Sequence, residues 1–348
     1  MKKVALFDVS ALVYAGNAAT NPILESKIDF TKGLPLRGVR FALKKMLGYA
    51  GRGYEIVGVF DSKTDKSKEF PDFKAQRSYN LDVSIQKRIL EDVLDKFGIP
   101  TLREDNFEAD DLIYSYIWKN YSELEECLIV AHDLDLCGAI INPKIRMVGI
   151  TNDSPTITVQ NYQLTAKKGC EILYNTALPF ILLLGKSSNN LKPCKNGRLL
   201  YGNFCKWAIN TGLQYYTLSY ESQIHNFLKF AFGEGLVTKE DVIELAKRMK
   251  VVYPRITKEF SVRESQRNTE FIYTFCRTFG LQEFLSYFKI YNVAGYNKEF
   301  DHFLQEWTSR YKSASYAVRE GLPADSTFTS EFTTNSVPTV DNFNIGSF

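Results

Sequence analysis

The chain has little of what marks thiolate-metal, disulfide-framed or membrane proteins. Its six cysteines (Cys127, Cys137, Cys170, Cys194, Cys205 and Cys276) are scattered without a CxxC pair, and its three histidines stand far apart. That pattern argues against a zinc site or a disulfide framework and for a reducing compartment. No apolar run reaches the roughly 18 residues that a membrane helix needs. Lys2 and Lys3 precede only a short apolar stretch that ends at Asp8, so no secretory leader is expected, and a cytoplasmic location with no membrane partner is. Basic residues are missing from 320–348, where four acids stand; with a net charge of +3 overall, the remainder carries +7. Local patches therefore say more about partners than the isoelectric point does. Acids, in turn, are missing from the segment 186–198.

What is present is a hydrophobic fraction of 45% in 348 residues, ample for one large core or two smaller ones. "KKVALFD" (2–8), "YEIVGVFD" (54–61) and "ECLIVAHD" (126–133) are continuous apolar runs with polar borders, as strands buried on both faces of a parallel sheet read. Between them, 36–49 and 83–97 carry apolar residues at spacings of three and four, which predicts crossover helices. The fold class expected is α/β, a doubly wound parallel sheet flanked by helices, and such sheets bind ligands beyond the carboxyl ends of their strands. Residues 161–313 lose the strand pattern and read as a helical part rich in aromatics. From Ala314 to Phe348, Ser, Thr, Asn and Pro dominate, which predicts a flexible tail.

Each of the three predicted strands ends in an aspartate: Asp8, Asp61 and Asp133, with Asp135 two residues further on. In "NFEADDLIYSYIW", Glu108, Asp110 and Asp111 fall in the first turn of a helix whose apolar residues mark one buried side. Singly, such acids serve as caps, turns or partners of the helix dipole. Together, seven carboxylates on one sheet edge would repel one another without hard cations, and an all-oxygen donor set suits Mg²⁺ or Mn²⁺. Two such ions about 3.5–4 Å apart would serve phosphodiester hydrolysis by activating water and stabilising the leaving oxygen.

"LFDVSALVY", "VFDSKTDKSKEFPDFKAQR", "NFEADDLI", "IVAHDLDL" and "LLGKSSNN" follow one another in the order and spacing of the 5′-nuclease (flap endonuclease) family, which the chain resembles over residues 1–200. That family includes the 5′-nuclease domain of bacterial DNA polymerase I and free-standing phage 5′-exonucleases with RNase H activity. The resemblance implies a PIN-like core over 1–160 with an arch region near 62–107. It also implies a helical DNA-binding part over 161–313, with a helix-two-turns-helix-like element near 185–212. Carried over by position, it makes Asp8, Asp61, Glu108, Asp110 and Asp111 ligands or close supports of a first metal, places Asp133 between two sites and leans Asp135 to the second. Lys74 and Arg77 match the basic pair at the foot of the arch, which would hold the scissile phosphate. The implied substrate is DNA or an RNA–DNA hybrid with a 5′ end or flap, in replication or repair; for a phage-encoded protein the location becomes the host cytoplasm.

"GKSSNN" departs from the family's "GDSSDN". Lys186 and Asn189 stand where two aspartates complete the second metal site. A divalent ion about 4 Å from an ammonium is repelled by roughly 8 kcal/mol at an effective dielectric of about 20. The favoured expectation is therefore one strong metal site with Lys186 as a fixed cation. A flap- or junction-binding relative without cleavage and a shifted motif register are the alternatives, and a PIN-type ribonuclease on single-stranded RNA is a further functional class. The family's Gly-rich duplex clamp is replaced by "LKPCKNGRLLYGNFCKWA", whose Lys192, Lys195, Arg198 and Lys206, interleaved with Tyr201, Phe204 and Trp207, are candidates to grip phosphates and stack on bases. The same stretch reads equally as a solvated basic loop before an amphipathic helix. "TVDNFNIGSF" at the chain end is a candidate docking peptide for a replication protein.

Overall fold

A computed structural model describes residues 1–18, 33–75, 79–150, 156–157, 163–165, 171–173, 177–211, 220–291, 293 and 297–320. The chain opens with β1 (Lys2–Asp8), α1 (Val9–Ala18), α2 (Arg37–Ala50), β2 (Glu55–Val59), the single turn α3 (Lys66–Glu69), α4 (Leu81–Phe97) and β3 (Thr101–Leu102). It continues through α5 (Ala109–Asn120), β4 (Leu124–Val130) and β5 (Ile145–Val148), then the short antiparallel pair β6 (Gln163–Thr165) and β7 (Glu171–Leu173). The rest is helical: α6 (Ala177–Leu184), α7 (Gly197–Asn210), α8 (Tyr220–Gly233), α9 (Lys239–Val252), α10 (Thr269–Phe279) and α11 (Lys298–Arg319), with β8 (Val262–Arg263) between α9 and α10.

One sheet organises the body, in the order β5-β4-β1-β2-β3-β8. Every pairing is parallel except β3 with β8. Alternation along the central strands feeds two cores. Val4, Leu6, Cys127 and Ile129 point to a layer holding α5, α6 and the α7–α9 helices. Ala5, Phe7, Leu128 and Val130 point to the opposite layer of α1, α2, α4, α10 and α11. This is the reason the runs are apolar throughout rather than alternating.

Helix ends follow local chemistry. The Asn80 side chain accepts from Val83 N at 3.1 Å to start α4, and Gly98, at φ 66°, ends it in the left-handed conformation. Glu108 and Asp111 form a reciprocal capping box at the start of α5.

Within the span 62–107, α4 is a crossover helix whose Val83, Ile89, Leu90, Val93, Leu94 and Phe97 are buried in the core. Three expectations need correction. The helical part is not free of strands, since β8 returns to the sheet edge and β6 and β7 pair with each other. The tail does not begin at 314: α11 runs to Arg319 with Ala314 and Ala317 buried. β2 and β4 stop at Val59 and Val130, so Asp61 and Asp133 stand just past the strands rather than on them. The candidate docking peptide lies outside the described residues. No helix among the described residues is long and apolar enough to cross a membrane.

Candidate metal centre at the carboxyl edge of the sheet

The parallel order places the ends of β1, β2 and β4 side by side, and α5 starts immediately beyond β3. Topology alone therefore gathers Asp8, Asp61, Glu108, Asp110, Asp111, Asp133 and Asp135. A narrow cleft walled by Lys66, Lys74, Glu108, Asp110, Asp135 and Asn189 opens there.

The carboxylates divide by what neutralises them. Glu108 lies between two ammonium groups: Lys66 Nζ donates to Oε2 at 2.7 Å and Lys74 Nζ to Oε1. Burial alone would raise its pKa, but those two cations hold it down to about 2. Asp111 is fully buried; it accepts from Lys66 Nζ at 3.2 Å and from the Arg255 backbone N–H at 2.9 Å, and its other oxygen takes the Glu108 N–H at 3.1 Å. Lys66 is itself only 4% exposed. Its desolvation would lower its pKa, yet Asp111 and Glu108 raise it above the ordinary lysine value.

Lys186 does the same for the other pair. Its Nζ donates to Asp133 Oδ1 and, at 2.7 Å, to Asp135 Oδ1. Burial works against ionisation of Asp133, but Lys186 keeps its pKa below the usual value. Asp135 is pushed up to about 6 by burial and the neighbouring Asp133 charge, against the pull of Lys186. Asn189, 3% exposed, turns its amide toward Asp135 Oδ2 at 3.4 Å. The turn that presents these two residues is fixed by Gly185, at φ 73°, where a Cβ would lie 2.2 Å from the Leu191 carbonyl oxygen. The Asn189 carbonyl accepts from Lys74 N at 2.9 Å, so the two lysine-bearing segments are joined by backbone.

Among the described residues no ammonium pairs with the remaining acids in this way. Asp8, 8% exposed, accepts from Ala11 N at 3.0 Å, and burial together with the Asp61 charge pushes its pKa up to about 7. Asp61 takes the Ala109 N–H at 2.9 Å and the Ser10 hydroxyl. Asp110 is raised well above the ordinary value by burial and by Asp133, Asp8 and Asp135. Carboxyl oxygens of Asp110, Asp133 and Asp135 lie within 4.8 Å of one another. A hard divalent cation fits this set: the donors are all oxygen, and the raised values of Asp8 and Asp110 show where positive charge is short.

The structure thus brings every expected acid to one edge and divides them into those paired with lysines and those not. Lys74 is at the site; Arg77 lies outside the described residues. Lys192, Lys195, Arg198 and Lys206 are exposed on α7 and the loop before it. Tyr201 and Phe204, expected as stacking platforms, are 2% exposed: Tyr201 meets Phe180 at 5.2 Å and Phe204 meets Phe227 at 5.1 Å between ring centroids. They are core residues, because the helix needs its apolar face against α6 and α8. Four residues were not singled out in the sequence: Lys66, Ser10, Lys87 and Arg255. Lys66 sits in "SKTDKSKEF" among charges of both signs, and nothing in that run separates a buried lysine from its solvated neighbours.

The class is thus a mostly parallel α/β sheet with a cluster of carboxylates at the ends of its strands. Residues 3–169 match the family model described as the 5′-3′ exonuclease, N-terminal resolvase-like domain. A 5′-3′ exonuclease of Aquifex aeolicus is 26% identical over 75% of this chain and 85% of that protein. A 5′-3′ exonuclease of Buchnera aphidicola is 27% identical over 54% of this chain but only 64% of its own length. DNA polymerase I of Mycobacterium tuberculosis is 30% identical over 39% of this chain and 15% of that protein. Over its first 169 residues the chain is thus similar to the 5′-3′ exonuclease family, and over longer spans to free-standing 5′-3′ exonucleases. Among solved structures, the T5 D15 protein co-crystallized with metal ions aligns with 90% of this chain and 99% of that one at 12% identity and a TM-score of 0.46.

Proposed function

We propose that the chain is a metal-dependent 5′-nuclease that hydrolyses DNA or RNA–DNA hybrids bearing a 5′ end or flap, in replication or repair, in the cytoplasm. The observation that carries this reading is the convergence of Asp110, Asp133 and Asp135 beside Asp8, with the Lys186 ammonium already seated on Asp133 and Asp135. That arrangement supports one strong site for Mg²⁺ or Mn²⁺, held by Asp8, Asp110, Asp133 and Asp135 with Asp61 alongside, and argues against a second. A divalent ion supplies Lewis acidity to the phosphoryl oxygen and lowers the pKa of an attacking water.

The chain's own groups do the remainder. Lys186, held by two carboxylates, is a preorganised positive charge for the oxygen on which charge develops. Glu108 stays ionised and holds Lys74 at the mouth of the site, where exchange of its carboxylate contact for a phosphate oxygen would orient the scissile group. Asp111 and Lys66 form a buried pair that fixes the start of α5 and so the direction of Asp110. Lys192, Lys195, Arg198 and Lys206 would contact the duplex backbone without reading sequence.

The test is cleavage of 5′-labelled flap DNA and of an RNA–DNA hybrid with Mg²⁺ or Mn²⁺, beside an Asp133→Asn variant. Rapid cleavage abolished in the variant is expected; equal, negligible cleavage by both refutes the nuclease. Tight flap binding without cleavage would instead identify a noncatalytic junction-binding protein, the reading that the lysine and amide at 186 and 189 favour. Calorimetric titration with Mg²⁺ should give one equivalent for the wild type and two for a Lys186→Asp, Asn189→Asp double variant. An unchanged stoichiometry refutes the single-site reading.

A further inference from the structure

Three lysines at the site are already in contact with carboxylates, and a fourth is not. Lys87 lies on α4, the helix whose apolar residues fill the core against α1 and α10. Its half-buried side chain crosses to the start of α1, where Nζ donates to Ser10 Oγ at 3.3 Å. The Ser10 hydroxyl donates in turn to Asp61 Oδ2. The ammonium is thus one hydroxyl away from a site carboxylate, and it works against the rise in the Asp8 pKa. Among the described residues it makes no ion pair.

The contrast with its neighbours decides its availability. Lys66, Lys74 and Lys186 each donate to at least one carboxylate in a shielded position. Drawing Lys66 or Lys186 to a phosphate breaks an ion pair and leaves a buried acid short of its cation, and Lys74 can exchange its contact only because Glu108 keeps Lys66. Lys87 donates to a neutral hydroxyl over a long contact. Exchange of that contact for a phosphate oxygen gains a charge-assisted hydrogen bond and leaves Ser10 still bound to Asp61. The position is also beside Asp8 and Asp61, which no ammonium pairs among the described residues, so a local cation there reduces the repulsion that a strand entering the site would feel.

We propose that Lys87 is a substrate-binding residue, taking a backbone phosphate of the nucleic-acid strand at the Asp8–Asp61 end of the site. This rests on the nuclease reading above and adds to it the polarity of the edge: a phosphate contact at the Asp8 end in addition to Lys74 at the Glu108 end.

The test uses the full chain and its Lys87→Gln, Lys87→Arg and Ser10→Ala variants, binding a fluorescein-labelled 5′-flap DNA with Ca²⁺ in place of Mg²⁺, from about 50 to 300 mM KCl. Each lost phosphate contact lowers the slope of log Kd against log salt by roughly 0.7–0.9. Lys87→Gln, which keeps a donor for Ser10, should weaken binding several-fold at low salt and flatten the slope by about that amount. Lys87→Arg and Ser10→Ala should keep the wild-type slope. An unchanged slope in Lys87→Gln overturns the inference, whether or not affinity falls, because a lysine that acts only by orienting Ser10 releases no counterion. Absence of flap binding by the wild type overturns the inference together with the nuclease reading; wild-type binding with an unchanged Lys87→Gln slope overturns the inference alone.

Discussion

Replacing Lys186 by methionine removes an ammonium while keeping the length and most of the apolar stem. The Lys186 side chain is 16% exposed, and its two carboxylate partners, Asp133 and Asp135, are 31% and 14% exposed. Breaking a buried ion pair by deleting one member costs about 3–5 kcal/mol, because the other member keeps its desolvation penalty. The partial exposure of Asp133 places the expected loss at the lower end, about 3 kcal/mol. With an unfolding entropy of about 2.1 cal/mol/K per residue, a chain of this size should lose roughly 4 °C in Tm. The loss depends on pH. Lys186 depresses the Asp133 pKa, so the stabilisation it gives is present above the unfolded aspartate value of about 4 and fades as pH falls through the folded one. Scanning calorimetry at pH 7.5 and pH 4, with and without Mg²⁺, checks this. Variant and wild type should differ most at pH 7.5 without metal, and Mg²⁺ should stabilise the variant more than the wild type. Ligand at 100 times its Kd adds about 2.7 kcal/mol, close to the whole deficit. Equal melting of the two proteins in EDTA at pH 7.5 would refute the claim that this ammonium neutralises the edge.

Other outcomes follow from the same geometry. Asp92, an exposed residue of α4, accepts from Trp307 Nε1 at 3.1 Å and is pushed up to about 6 by partial desolvation of its carboxyl and the nearby Glu91 charge. Its ionisation opposes folding, so stability falls as pH rises from about 4 to 6; because the residue is exposed and screened by solvent, Asp92→Asn should gain no more than about 1 kcal/mol at pH 7.5 and nothing at pH 4 by denaturant titration. Lys66→Met leaves Glu108 and fully buried Asp111 short of a cation and should cost about 3–5 kcal/mol in the same assay. Lys66→Arg adds bulk to that pocket without matching its geometry and should recover only part of the loss. Gly185→Ala forces a Cβ against the Leu191 carbonyl at positive φ; a loss of about 1–3 kcal/mol is expected, with cleavage reduced more than flap binding because Lys186 is displaced.

The sheet and its acids were legible because both rest on short-range patterns. A strand buried on two faces reads as an unbroken apolar run, and the aspartates that follow those runs are carried to one edge by parallel topology alone. The lysines were not legible. Lysine is usually a solvated residue, so Lys66 in a mixed-charge run gives no sign that it will be 4% exposed, and its burial follows from Glu108 and Asp111, more than 40 residues away. Lys186 could be noticed only because it stands where an acid was expected; its bridge between Asp133 and Asp135 needed coordinates. α4 was legible as a crossover helix because its apolar residues recur at spacings of three and four, and they are buried. Tyr201 and Phe204 were misjudged because aromatics at helical spacing look alike whether they face nucleic acid or a neighbouring helix. β8 is two residues long, too short for any periodicity.

β8 also has a consequence for how the molecule is made. The strand that closes the sheet at β3 arrives only at Val262–Arg263, just after Arg255 has donated its backbone N–H to Asp111 and its guanidinium to Asp65 at 3.1 Å. On the ribosome, the carboxylate motifs are therefore all synthesised long before the segment that fixes the start of α5 has emerged. Until then the acids face one another with part of their support missing. A fragment ending at 169 would hold the seven clustered acids but lack both "LLGKSSNN", with the Lys186 that neutralises Asp133 and Asp135, and the last edge strand.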